Sequence, residues 1–196
     1  PHCKFICDEI EKHRIDGKLK ALVFCRNQTH ARMMAEAFQQ QGYHATYLTG
    51  NNSVGERMRA YDDLQSDDKE LEILCSVDIL NEGVDIVEVN QVIMLRPTQS
   101  PIVFIQQLGR GLRKAPGKEY VVILDFIGNY NNNFMIPVAL SGDRSYNADV
   151  IRKYVISGNS TIPGASTVHF DEISKDKIFK SIDKIKGMKT LIKESY

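Results

Sequence analysis

Short apolar runs alternate with amphipathic segments along the first two thirds of the chain. A run that is apolar throughout is typical of a strand buried on both faces of a sheet. When such strands alternate with helices, they form a parallel sheet that helices cover on both faces, with right-handed connections. We therefore predict an α/β fold with about five parallel strands between residues 19 and 126. The runs are "KLKALVFC" (18–25), "HATYLT" (44–49), "LEILCSV" (71–77), "NQVIML" (90–95) and "EYVVILDF" (119–126).

Helices are predicted where apolar residues recur three or four positions apart. Their inward faces are formed by Cys3, Ile6, Cys7 and Ile10, by Ala31, Met34, Ala35 and Phe38, and by Val54, Met58 and Tyr61. Ser53 and Glu56 form a capping-box pattern, which predicts that the third helix begins there. Ser100 and Pro101 predict a further helix after the fourth strand.

The alternation of strands and helices stops near residue 126. The segment 129–134, "NYNNNF", has the composition of a loop. We therefore predict one domain over residues 1–128, which includes an N-terminal helix. A mostly helical C-terminal extension with a short strand is expected over residues 129–196.

One helix of the extension has a clear amphipathic pattern. Ile178, Ile182 and Ile185 form its apolar stripe, and we expect the helix to end at Gly187. The lysines opposite the stripe, among them Lys184 and Lys186, form either a solvated surface or a contact with nucleic acid.

The charges of the chain balance, because its 196 residues include 25 Lys and Arg and 25 Asp and Glu. Contact with nucleic acid is therefore neither supported nor excluded by net charge, and would need a local patch. The sequence contains no apolar segment that could span a bilayer and no signal-peptide pattern, and it begins with Pro1 rather than methionine. We expect a piece of a longer cytoplasmic protein that does not contact membranes.

The four cysteines suit a reducing compartment, since Cys25 and Cys75 lie inside apolar runs. Cys3 and Cys7 are one helical turn apart, so a zinc site is an alternative for this pair. Because no second ligand pair follows at a zinc-binding spacing, we assign no metal site.

An unusual cluster of glycines and arginines lies in "QQLGRGLR" (106–113). In a helix, Gln106, Arg110 and Arg113 would leave the same face. Clustered guanidinium groups repel one another, so their convergence suggests an anion between them, and they match phosphate oxygens well. The alternative is a solvated helix end, where basic residues complement the helix dipole.

A second cluster lies where the third strand ends, in "SVDILNEGVDI" (76–86). Gly83 permits a tight turn that would bring Asp85 close to Ser76. In open parallel sheets, ligands bind beyond the carboxyl ends of the strands, which is where these residues are expected. By spacing alone, a structural role of Asp85 in the turn is favoured over a catalytic one.

Together, these two segments resemble the last two signature motifs of the second RecA-like domain of superfamily 2 helicases and translocases. The segments "ALVFCRNQTHA" (21–31) and "YLTGNNSVGER" (47–57) are similar to its earlier motifs, so the resemblance covers residues 19–127. At the level of individual residues, the motif sequences resemble those of bacterial restriction-enzyme-type helicases, which are related to the DEAD/DEAH group and involved in DNA repair. Val87 departs from the pattern, since many relatives have proline there.

The resemblance implies a role for each matching residue. Arg110 and Arg113 would act as arginine fingers on the γ-phosphate of the nucleotide, with Gln106 and Gly109 beside it. Gly83 and Asp85 would couple the nucleotide to the nucleic acid. The backbone of the nucleic acid would be contacted by Ser76, Arg26, Asn27 and Gly50, without reading of the base sequence.

The sequence contains no G-x-x-x-x-G-K-[ST] loop and no D-E-x-H-type signature. The resemblance therefore implies half of an ATPase, in which an N-terminal RecA-like domain of the same polypeptide binds most of the ATP and Mg²⁺. The chain alone would then be inactive. The resemblance to restriction-type helicases favours DNA over RNA as the partner.

Two other function classes compete with a helicase half. An orphan RecA-like domain could serve as a docking module for nucleic acid or protein, although the retained arginines argue against it. A free-standing doubly wound nucleotide-binding enzyme would need glycines in its first strand-to-helix turn, and "FCRNQTHA" (24–31) has none.

Overall fold

The computed structural model describes residues 2–15, 17–77, 87–96, 118, 120–126, 137, 138, 140, 147–157 and 169–194, with side chains of the last helix described through Lys184. These residues belong to two compact units. The first unit contains the described residues up to Phe126, and the second contains those from 137 onward. The helix expected after Pro101 and the loop 129–134 lie outside the described residues.

The first unit contains a parallel sheet of five strands, as predicted. Each neighbouring pair is parallel, and the strand order is β2-β3-β1-β4-β5. The elements are α1 (His2–Lys12), β1 (Ala21–Phe24), α2 (Gln28–Gln40), β2 (Ala45–Leu48), α3 (Val54–Gln65), β3 (Ile73–Ser76), β4 (Gln91–Met94) and β5 (Val122–Asp125).

The core of this unit forms because the central strands are buried on both faces. Every residue of β1, β3 and β4 is buried, which explains their continuous apolar sequences. Val23, Cys75 and Ile93 form one cluster with α1 and α2. The faces predicted for these helices are confirmed, except that Cys3 is only partly buried.

A buried glutamine holds α1 in its place on the sheet. The side chain of Gln91 donates hydrogen bonds to the carbonyls of Ile10 (3.0 Å) and His13 (3.1 Å). The first turn of α1 is fixed in another way, because Phe5 packs edge-to-face on Phe126 with 5.9 Å between ring centroids. Helix α1 is therefore part of the domain core rather than a linker.

Polar contacts close the amino-terminal edge of the sheet. Asn90 accepts a hydrogen bond from the backbone of Lys20 (2.9 Å) and donates one to the carbonyl of Lys18 (2.8 Å). The buried Lys20 ammonium donates to the carbonyl of Gln65 (2.8 Å) and pairs with Asp67 (2.7 Å). The cations at this edge are thus used within the fold.

Helix α3 buries a different face from the predicted one. Tyr61 is 1% exposed, as expected, but Val54 is 72% exposed and Met58 is 46% exposed. Leu64 is fully buried instead. Only the second half of α3 lies against the sheet, so the prediction for Val54 and Met58 was wrong: the apolar spacing continues into a first half that faces solvent.

The second unit contains α4 (Ala148–Ser157) and α5 (Glu172–Glu194). Ile178 and Ile182 are buried on α5, as predicted. An ion pair between Arg152 and Asp183 joins the two helices. The described residues of this unit include no strand, so the short strand stays a prediction.

The expected end of this helix at Gly187 was wrong, because α5 continues to Glu194. The segment after Gly187, "MKTLIKE", contains no proline and consists mostly of good helix formers. A glycine inside a helix costs only about 1 kcal/mol relative to alanine.

Among the described residues, no helix is both long and apolar enough to cross a membrane.

The corrected face of α3 gives a testable difference between two substitutions. Leu64→Ala should lower the free energy of unfolding by about 2–5 kcal/mol, because it leaves a cavity in the core. Val54→Ala should leave it nearly unchanged, since Val54 is exposed. Urea unfolding of both variants measures the difference, and equal losses would contradict the assignment.

Candidate functional site

Three strand ends that the sequence predicts to share an edge are aligned in the structure. Ser76 is in register with Phe24 of β1 on one side and with Leu48 of β2 on the other. Phe24 is in register with Met94 of β4. The turns that follow these residues therefore open at one edge, which we call the carboxyl edge.

The turn between β1 and α2 is fixed by two hydrogen bonds. Asn27 is the N-cap of α2, and its side-chain oxygen accepts from the backbone N–H of His30 (2.8 Å). The ring nitrogen Nδ1 of His30 accepts from the backbone N–H of Arg26 (3.2 Å). The expected contact residues Arg26 and Asn27 are both exposed, but the Asn27 side chain already has a structural role as a cap.

His30 accepts this hydrogen bond only when Nδ1 is unprotonated. Burial, followed by the nearby charge of Arg26, lowers the pKa of His30 below its ordinary value of 6.5. The first turn of a helix also disfavours positive charge. The neutral ring is therefore the form that fits the turn.

The loop between β2 and α3, residues 49–53, is held by its own polar groups. The side chain of Asn52 accepts from the backbone N–H of Thr49 (2.8 Å), and the backbone N–H of Asn52 donates to the Thr49 carbonyl (3.1 Å). Arg57 donates from Nε to the carbonyl of Asn52 (3.0 Å) and from Nη2 to that of Gly50 (3.0 Å). The expected contact residue Gly50 is therefore exposed on a loop of defined shape.

The predicted capping box is confirmed at the start of α3. The hydroxyl of Ser53 accepts from the Glu56 backbone (3.3 Å), and the Glu56 carboxylate accepts from the Ser53 backbone (2.7 Å). This backbone hydrogen bond is the main cause of the lowered pKa of Glu56. Helices α2 and α3 thus both begin at the carboxyl edge, where their N-termini favour anions.

Ser76 differs from the other expected contact residues, because it is fully buried. Among the residues that the structure describes, its hydroxyl has no hydrogen-bond partner. A buried hydroxyl without a partner is unfavourable, so this group is suited to a partner that approaches the strand end. Its contact with a phosphate stays a prediction that requires the strand end to be uncovered.

Three residues near this edge received no role from sequence patterns. They are His30, Arg57 and Arg96. Arg96 lies two residues beyond Met94, as Arg26 lies two residues beyond Phe24, so the two arginines hold equivalent positions after neighbouring strands. That equivalence was readable in the sequence, whereas the contacts of His30 and Arg57 with backbone groups were not.

The expected nucleotide-side residues lie outside the described residues. They are Gly83, Asp85, Gln106, Gly109, Arg110 and Arg113. Their arrangement therefore stays a prediction. Of the tail lysines, Lys184 is exposed, and the side chain of Lys186 lies outside the described part of α5.

The cysteine pair considered for zinc lies on α1. The sulfur atoms of Cys3 and Cys7 are 4.0 Å apart. Burial, followed by the neighbouring Cys3, raises the pKa of Cys7 to about 12, which disfavours the thiolate that a metal needs. Within the described residues, no group of three or more His, Cys, Asp or Glu side chains could hold a metal ion.

Comparison with known proteins matches residues 2–115 to the helicase conserved C-terminal domain. IRC3 of Saccharomyces cerevisiae, named as a candidate ATP-dependent helicase, is 30% identical over 63% of this chain and 18% of its own length. The fragment structure of a candidate HsdR subunit of a type I restriction enzyme from Vibrio vulnificus is 25% identical, with a TM-score of 0.56 over 69% of this chain and 28% of that chain. The E. coli DEAD-box protein SrmB, in complex with the regulator of ribonuclease activity A, is 17% identical, with a TM-score of 0.57 over 72% of this chain and 78% of that chain.

These similarities confirm the RecA-like fold. The HsdR fragment and SrmB both align with more than two thirds of this chain. The chain spans only 18% of the length of IRC3.

The neutral state of His30 gives a prediction for the pH dependence of stability. Because the pKa of His30 is lowered in the folded chain, the unfolded chain binds a proton more readily. The free energy of unfolding should therefore fall as pH drops below about 6.5. His30→Gln keeps a hydrogen-bond acceptor but does not titrate. The free energy of unfolding of this variant should therefore fall less as pH drops. Urea unfolding at a series of pH values measures both, and parallel curves would contradict the role of His30.

Proposed function

The chain belongs to the helicase conserved C-terminal domain family, and we propose that it is the second motor domain of an ATP-dependent superfamily 2 helicase or translocase. In this role it supplies arginine fingers to the nucleotide and contacts the backbone of the nucleic acid. The alignment of three strand ends at the carboxyl edge is the observation that carries the proposal.

The carboxyl edge has the properties expected of a surface that contacts a nucleic-acid backbone. Arg26 and Gly50 are exposed in turns that internal hydrogen bonds hold in shape. The N-termini of α2 and α3 add partial positive charge at the same edge. Such contacts recognise phosphates and do not depend on base sequence.

The nucleotide is assigned to the cleft between this domain and a preceding one. Arg110 and Arg113 reach the γ-phosphate as arginine fingers, Gln106 and Gly109 lie beside it, and Gly83 and Asp85 link it to the nucleic acid. The family match includes all of these positions, which supports the assignment. ATP and Mg²⁺ are held mainly by the N-terminal helicase domain of the same polypeptide, so this chain alone is expected to be inactive.

We propose DNA rather than RNA as the nucleic acid. The motif sequences resemble those of restriction-type helicases. The similarity to the HsdR subunit of a type I restriction enzyme also supports DNA. SrmB supports the fold alone at 17% identity.

A cytoplasmic location is proposed from the four free cysteines, of which Cys7, Cys25 and Cys75 are buried.

A catalytically silent docking module is the alternative. It would use the same carboxyl edge to bind nucleic acid or protein but would have no need of the two arginines. Measurement of ATP turnover in arginine variants separates the two functions.

Substitution of either arginine tests the nucleotide role. In the full-length protein, Arg110→Ala or Arg113→Ala should lower ATP turnover by about 10³-fold, because the charge of the transition state loses its partner. Arg32→Ala is a matched control, since Arg32 is exposed on α2 and pairs only weakly with Glu36 at 3.8 Å. Phosphate release measures all three variants. Unchanged turnover would remove that arginine from the site and favour the docking module.

The position of the nucleic-acid face gives a separate prediction. Arg26→Ala and Ser76→Ala should weaken binding of single strands by the full-length protein, while substitution of the tail lysines Lys184 and Lys186 should not. Binding should weaken as salt rises, with a shallow slope because few cations take part, and Arg26→Ala should reduce the slope by about 0.7. Fluorescence anisotropy at several salt concentrations measures the affinity of each variant and its salt slope. The reverse pattern would move the face to the tail.

A further inference from the structure

Most backbone donors of the loop 49–53 already have an acceptor. Oxygen atoms of Thr49 and Asn52 accept from the N–H groups of Thr49, Asn51 and Asn52, and the Glu56 carboxylate on α3 accepts from that of Ser53. The N–H group of Gly50 has no such partner among the described residues. Gly50 is exposed, and a side chain added at its Cα would meet no heavy atom within 4 Å. Gly50 therefore offers a backbone donor at the carboxyl edge.

The direction of this donor is fixed by the peptide groups around it. The Gly50 N–H shares a planar peptide group with the Thr49 carbonyl, which accepts a hydrogen bond from Asn52 (3.1 Å). The next peptide group contains the Gly50 carbonyl, which is held by Arg57 at 3.0 Å. Arg57 also holds the Asn52 carbonyl at 3.0 Å, so its guanidinium joins both ends of this small turn.

We infer that Arg57 is a positioning residue, which holds the loop so that the Gly50 N–H donates to a phosphate oxygen of the nucleic-acid backbone. This inference rests on the proposed function. An arginine near a nucleic-acid face would ordinarily be read as a phosphate ligand. Here two nitrogen atoms of the guanidinium are directed at carbonyl oxygens of the loop, so its contribution is to shape rather than to charge.

Two substitutions at Gly50 isolate the donor. Gly50→Pro removes the N–H group, while Gly50→Ala keeps it and has room for the added methyl group. In the full-length protein, Gly50→Pro should weaken binding of an oligothymidylate strand by about tenfold, the scale of one hydrogen bond to a charged group. Gly50→Ala should weaken binding less than Gly50→Pro does, because it keeps the N–H group. Melting temperatures identify any variant that does not fold.

Substitution of Arg57 separates positioning from direct contact. Arg57→Ala should weaken binding about as much as Gly50→Pro, without change in the salt slope, because no cation is lost from the phosphates. The double variant should bind no more weakly than either single variant, since both remove the same contact. Arg59→Ala is the matched control, because it removes an exposed arginine from the same helix and should leave binding unchanged.

The outcomes distinguish failure of this inference from failure of the proposed function. If Gly50→Pro weakens binding but Arg57→Ala does not, the inference is wrong and the interface stands. Arg57 would be a direct phosphate ligand if its loss reduced the salt slope by about 0.7 and its effect multiplied with that of Gly50→Pro. A lower melting temperature of Arg57→Ala with unchanged affinity would mean a role in stability alone. If Gly50→Pro, Arg57→Ala and Arg26→Ala all bind normally, the carboxyl edge is not the nucleic-acid face, and both proposals fall.

Discussion

The position of β1 between β3 and β4 is the constraint on which the rest of the structure depends. Its backbone hydrogen bonds to both neighbours set Phe24 level with Ser76 and with Met94. Because the strands are parallel, every chain segment that follows one of them begins at the same edge of the sheet. A shift of one residue would reverse the faces of the side chains and separate the strand ends. The candidate site therefore exists because the register of the buried strands brings distant turns together.

The two edges of the sheet use their polar groups differently. At the amino-terminal edge, the charges and amides of Lys20 and Asn90 are satisfied inside the fold. At the carboxyl edge, the turns are held by side chains that bond to backbone groups, as His30 does to Arg26 and Arg57 to Gly50. The second arrangement fixes the shape of a turn while leaving exposed backbone for another molecule.

Sequence patterns predicted the elements that burial determines. The three central strands and the inward face of α2 are apolar because they are buried, so residues such as Phe38 are recognisable without coordinates. Val54 and Met58 continue the apolar period of α3 where the helix has left the sheet, and the period cannot show where contact ends. Gly187 was read as a stop although the residues after it continue a helix.

For the candidate site, the sequence predicted the positions of residues but not their contacts. The family resemblance implied the contact roles of Arg26, Gly50 and Ser76, and the ends of the apolar runs predicted their shared edge. The register aligns those strand ends as expected. The contacts of Arg57 and His30 were not predictable, because their partners are backbone atoms whose positions depend on the folded turn. The buried state of Ser76 was also hidden, since the sequence marks the end of a strand but not what covers it.

The balanced charge of the chain makes this reliance on turn geometry understandable. Because 25 basic residues meet 25 acidic ones, and cations such as Lys20 and Arg57 are bonded within the fold, long-range attraction for phosphates is weak. In the proposed function, neutral N–H donors would then supply more of the contact. A neutral donor is effective only over hydrogen-bond distance and in the correct direction, whereas a charge tolerates displacement. A domain that binds through such donors must hold its turns in fixed shapes, and the side-chain contacts to the turn backbone at the carboxyl edge do this.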